Sequence, residues 1–178
     1  MRGERKKATR RLAVSALLAA LGVVLLLLGS LVEVLDLSMA AIASLLAVFA
    51  VIEIGGRYPM LIYAVTSVLS LLLLPVKTAA LIYFVFAGYY PILKAVLEGR
   101  LAKPLAWVLK TVIFCAAVAL GLLAAEKVFL MDLSWLFANW WFLLCLLPVF
   151  VLYDVALTRL ISAYLNKWRA RLRLPDLR

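Results

Sequence analysis

Residues 12 to 32 form a continuous run of 21 side chains without a single charge. That length matches the roughly 20 apolar residues a helix needs to cross the hydrocarbon of a bilayer. Further blocks of the same kind follow, among them 105 to 125, in which Lys110 is the one charged residue. A soluble surface cannot be made from such material. Of the 178 residues, 68% are hydrophobic and 16% charged, against about half and about a quarter in an ordinary soluble domain. The first block is too long for the apolar core of a secretory signal peptide, and no mature soluble domain follows it, so it is expected to remain as a span. The fold class expected is therefore all-α: a polytopic bundle of six transmembrane helices forming a single domain over 1–178.

The spans are expected at about 12–32, 38–54, 58–74, 78–97, 104–125 and 134–160, with basic tails at 1–11 and 161–178. A net charge of +10 could suggest nucleic acid, but the basic residues follow the connections between spans and line no soluble face. Six Lys or Arg precede the first span, Arg57 follows the second, four lie from Lys94 to Lys110, and six lie from Arg159 to Arg178. All seventeen fall on one side. The other side carries Lys77 and Lys127 beside Glu33, Asp36, Glu126 and Asp132. The positive-inside rule then puts both termini in the cytoplasm. The membrane expected is the plasma membrane of a bacterium, with no nucleic-acid partner. Each basic residue held near anionic lipid adds roughly 1 kcal/mol of attraction.

Punctuation within the spans is specific. Pro59 suits the first turn of the third helix and Pro75 stops it, while Gly55-Gly56-Arg57 reads as the preceding turn. In the fourth span, Pro91 deprives the carbonyl of Ala87 of its partner and Gly88 lies close by, so a kink is expected there. Pro148 marks a second in the sixth span. Along the first span, Ala16 and Ala20, or Ser15 and Ala19, share a face on which another backbone can approach closely. That face serves either a contact within the bundle or the docking of another subunit.

Chemistry has few carriers. The chain contains no histidine, and no HExxH, Walker-type, GxSxG or CxxC pattern occurs. No catalytic residue, metal or cofactor is expected. Cys115 and Cys145 are expected to pack as inert thiols in the core. Asp154 lies inside an apolar run, with Thr158 and Arg159 about one turn further on, and Glu53 and Lys94 fall near helix ends on the same side of the membrane. These four, Glu53, Lys94, Asp154 and Arg159, are candidates for intramembrane or interfacial charge pairs. On the other side Asn139 stands beside Trp140 and Trp141. Tryptophans at this level serve as an interfacial belt, or, with an amide between stackable rings, as the wall of a small-molecule pocket that Lys77 and Tyr83 would complete.

The opening Arg11-Leu12-Ala13-Val14-Ser15-Ala16-Leu17-Leu18-Ala19-Ala20, together with the size, span count and topology, resembles the substrate-binding S components of energy-coupling factor (ECF) transporters. The resemblance implies a binding subunit for uptake of a vitamin or similar small molecule. It implies that Ala16 and Ala20 dock on a transmembrane coupling subunit served by ATPase subunits, and that the ligand contacts Glu33 to Ser38, Lys77, Tyr83 and Asn139 to Trp141. Signatures of the riboflavin, thiamine or biotin members are absent. Two readings compete with it: a membrane scaffold or assembly subunit without ligand, and a lipid-modifying enzyme in which Asp154, Glu53 and Lys94 converge on a cleft.

Overall fold

In the computed structural model, residues 2–127, 130 and 141–168 are described, and every regular element among them is helical. Helix α1 spans Arg2–Leu31 and leads through a 3-10 turn at Glu33–Leu35 into α2, Asp36–Glu53. Helix α3 is Tyr58–Leu73. The fourth stretch is composite: α4, Thr78–Ile82, passes into a π segment, Tyr83–Ala87, and α5 resumes at Tyr90–Arg100. Helix α6 is Lys103–Lys127, and α7, Trp141–Ala163, ends in a π turn at Tyr164–Trp168. Among the described residues, five stretches are long and apolar enough to cross a membrane: Lys6–Leu31, Asp36–Glu53, Thr78–Arg100, Lys103–Lys127 and Leu144–Lys167. At 16 residues, α3 is shorter. The start expected for the sixth span, 134–140, lies outside the described residues.

The described residues divide into two compact units, one up to 121 and the other from 122 onward. In the first unit, α1 packs on α2 and α3, and α2 also packs on α4, the π segment and α5. Small residues set these approaches. Helix α1 buries Ser15, Leu18, Ala19, Gly22, Leu26, Gly29 and Ser30, which recur every three to four residues along one face. Gly22 lies on that face against Thr66 of α3: a Cβ there would stand 3.0 Å from the Thr66 methyl. Of the two small-residue strips in the sequence, Ser15 and Ala19 are therefore spent inside the bundle. Ala16 and Ala20 face outward.

The connections follow from local sequence. Gly55 and Gly56 both adopt left-handed φ, 65° and 63°, and the Gly55 N–H donates to the carbonyl of Ala50, so α2 reverses into α3 within four residues. Pro59 sits in the first turn of α3, and Leu74 is extended ahead of Pro75, which ends that helix. The expected break in the fourth span begins one turn earlier than Pro91 requires. From Tyr83 the helix widens to a π turn closed by Gly88 N–H donating to the Tyr83 carbonyl at 2.8 Å, and Pro91 then occupies the first turn of α5.

The thiols correct an expectation: Cys115 and Cys145 are exposed. Phe114 is the buried residue at its level of α6, and the next position lies about 100° around the helix, which turns Cys115 outward. On α7 the buried positions are Phe150, Asp154 and Leu157, a face that Cys145 does not share.

At Gly88 a Cβ would fall 2.6 Å from ring atoms of both Tyr63 and Tyr83, whereas at Gly99 it would meet nothing within 4 Å. Gly88→Ala should therefore destabilise by about 1–3 kcal/mol through overpacking. Gly99→Ala, in the last turn of α5 with open space around it, should be neutral or stabilising by up to about 1 kcal/mol. Thermal unfolding of the two variants in mild detergent separates them, and equal midpoints would refute this packing.

Candidate functional site

Helix α3 turns an unusually polar face inward. Thr66, Ser67 and Ser70 are all buried, next to Pro59 and Ile62 on the same side. In an apolar bundle each hydroxyl requires a partner, and an unpaired buried one costs about 1–3 kcal/mol. Thr66 reaches the carbonyl of Ala19 on α1 at a long 3.4 Å and lies near the Tyr83 side chain. Ser44 of α2 donates to the carbonyl of Ala41 at 2.6 Å. The Ser70 hydroxyl has no partner among the described residues.

The π segment faces this stripe. Its widened turn leaves the carbonyl of Phe84 without the amide an α-helix would supply, because the Gly88 N–H is committed to Tyr83. Tyr63 of α3 fills the place: its hydroxyl donates to the Phe84 carbonyl at 2.9 Å. The Tyr63 ring lies 6.2 Å from that of Tyr83, 6.5 Å from Phe84 and 6.0 Å from Tyr89, and Gly88 lets it in. An interrupted helix, a ring cluster and a row of hydroxyls thus meet inside the unit. Among the described residues here, the polar groups are hydroxyls and backbone carbonyls, with no nucleophile beside a base.

Two residues proposed from sequence to touch a ligand border this region. Tyr83 is 1% exposed and packs with Leu26, Ala40, Ala43, Leu74, Ala79 and Ala80 in one core cluster. The Lys77 ammonium donates to the carbonyl of Leu74, closing the end of α3. Asp36, one of the first-loop acids, is buried in the opening turn of α2. Asn139 and Trp140 lie outside the described residues, and Trp141 is exposed at the start of α7.

Charge collects at the opposite end of the first unit. Lys94 and Lys110 are each 1% exposed, and both reach the same carboxylate: Glu98 lies 2.9 Å from the Lys94 ammonium, one turn away on α5, and also pairs with Lys110 of α6. The Lys110 ammonium sits 5.6 Å from the Trp107 ring centre. Glu53, also buried, ends α2, which packs on α5. Glu98 is the residue that sequence reasoning missed. Its signal was present, since Lys94 and Glu98 are four apart on one helix and Lys110 was the lone charge in its block. In the second unit Asp154 is 2% exposed and Arg159 is exposed. Thr158 bonds the backbone carbonyl of Asp154 at 2.8 Å. Among the described residues no three His, Cys, Asp or Glu side chains gather as a metal site.

Fold and site together define an all-helical protein whose long apolar helices enclose paired charges and one interrupted helix. No protein-family model, curated protein or solved structure matches this chain.

Removing the carboxylate that two buried ammoniums share should be costly. Because Glu98 is 45% exposed, Glu98→Gln should cost about 1–2 kcal/mol, less than the roughly 3–5 kcal/mol typical of breaking a fully buried pair. A double-mutant cycle with Lys110→Met, followed by thermal unfolding, should show positive coupling between the two positions. Strictly additive effects would deny the pair any energetic role.

Proposed function

We propose that this chain is a membrane-embedded binding subunit for uptake of a small molecule such as a vitamin, working with an ATP-driven partner complex. In this reading it crosses a bacterial plasma membrane six times, α3 included, with both termini in the cytoplasm. The orientation rests on seventeen basic residues against two, and the Lys94–Glu98–Lys110 group then lies at the cytoplasmic end. The observation that carries the binding role is the interruption of the fourth helix opposite the hydroxyl face of α3. Discontinuous helices at mid-bundle supply backbone polar groups where a solute can use them, and they recur at binding sites in membrane carriers. The resemblance to ECF S components supplies the partner complex and the vitamin-sized cargo. The outward-facing Ala16 and Ala20, on a helix surface with Leu17, Leu21 and Val24 exposed, suit the docking role it implies.

The scaffold reading draws on a different observation, the close packing around Gly22 and Gly88, which fills the core with the protein's own side chains. Native mass spectrometry of the gently purified protein separates the two. A vitamin-sized adduct or co-purifying ATPase subunits supports uptake, and a bare chain carrying only lipid supports the scaffold. Asn139→Ala should abolish ligand-induced thermal stabilisation without loss of folding. Reporter fusions check the orientation independently: a fluorescent protein that matures only in the cytoplasm should be bright at either terminus, and a periplasm-active phosphatase should be inactive there.

A further inference from the structure

The π segment holds one residue more than an α-helix of the same rise, and two hydrogen-bond donors compete for one of its carbonyls. In the observed state the Gly88 N–H bonds Tyr83 O at 2.8 Å, and the Tyr63 hydroxyl bonds Phe84 O at 2.9 Å. In a continuous α-helix the Gly88 N–H would instead reach Phe84 O, four residues back, the acceptor that Tyr63 now holds. At the turn itself, the exchange forfeits one side-chain hydrogen bond and relieves one irregular turn.

We infer that the fourth helix is a register switch, latched by the hydroxyl of Tyr63, in which annealing of the π turn rotates α5 by about 100°. The sense of rotation follows from geometry: each residue of α5 takes the angular position of the residue after it. Tyr90, Lys94 and Leu97 face inward now, all buried. After annealing, that direction belongs to Tyr89, Leu93 and Val96. The second face is wholly apolar apart from the tyrosine hydroxyl, so it suits a bundle interior as well as the first. The switch exchanges a lysine-bearing face for an apolar one and parts Glu98 from Lys110 of α6. Pro91 lacks an amide, so it keeps the break at this point of the helix while α5 turns as a unit. The device requires no bound solute and stands whether or not the uptake role does.

The test uses the full chain in lipid nanodiscs with Cys115 and Cys145, both exposed, replaced by alanine. A cysteine is placed at Val96, 46% exposed, or at Leu97, 8% exposed, and labelled with a lipophilic maleimide. Tyr63→Phe removes the latch and keeps the ring. It should slow labelling at position 96 several-fold and speed labelling at position 97 several-fold. Deleting Phe84 removes the surplus residue and leaves α5 in its present orientation, so Tyr63→Phe should then have no effect on either position. Unchanged reactivities in the Tyr63→Phe protein would overturn the switch, as would faster labelling at both positions, the sign of general loosening. The reciprocal readout decides on Tyr63→Phe alone if the deletion fails to fold.

Discussion

The hydrogen bond from the Tyr63 hydroxyl to the carbonyl of Phe84 is the constraint on which the middle of this bundle depends. Within apolar surroundings a backbone carbonyl must be paired inside the protein, and a π turn leaves one without its amide. Tyr63 can answer only if its ring reaches the broken helix. It does so across Gly88, the position where a methyl group would collide with two tyrosine rings. The same approach seats Tyr83 in the core and brings it to Thr66, whose own contact with α1 relies on Gly22. One irregular turn thus ties together α1, α3 and the fourth helix.

The second organising demand is charge. Two lysines at 1% exposure are intolerable in an apolar interior unless a carboxylate meets them, and Glu98 meets both. Because Glu98 is partly exposed, the ion pair forms without full desolvation of all its members. The group joins α5 to α6 across a two-residue connection, and Phe86 packs edge-on against Phe114 further along the same pair of helices at 4.9 Å. Helix pairs without a hydrophobic driving force between them need such specific contacts. The group holds α5 against α6 in the present register, while the centre of the fourth helix keeps a choice of hydrogen bonds.

Much of this was legible in the residues themselves. Uncharged runs of about twenty residues dictate helices, Pro59 and Pro75 bracket α3, Gly55-Gly56 mark its preceding turn, and Gly88 with Pro91 announce a break. These are local facts, set by backbone geometry and by the length of an apolar run, so sequence suffices. Partnerships across helices are of another kind. That Glu98 meets both Lys94, one turn away on its own helix, and Lys110 of the next helix is such a partnership. Cys115 and Cys145 look like core thiols by chemistry, but the rotation of α6 and α7 turns them outward. In α1 two adjacent strips of small residues are equivalent on paper, and packing against Thr66 and Met39 selects the one with Ser15, Ala19, Gly22 and Gly29.

The sequence by itself determined an all-helical chain rich in membrane-length apolar segments, together with the glycine turn before α3 and the proline that ends it, because those follow from hydrophobic length and from proline and glycine geometry. Only the tertiary structure decided which face of each helix is buried, that the break takes the form of a π turn closed by Tyr63, and that one carboxylate serves two lysines. Such choices depend on rotations of about 100° per residue between helices distant in the chain, and no local pattern encodes them.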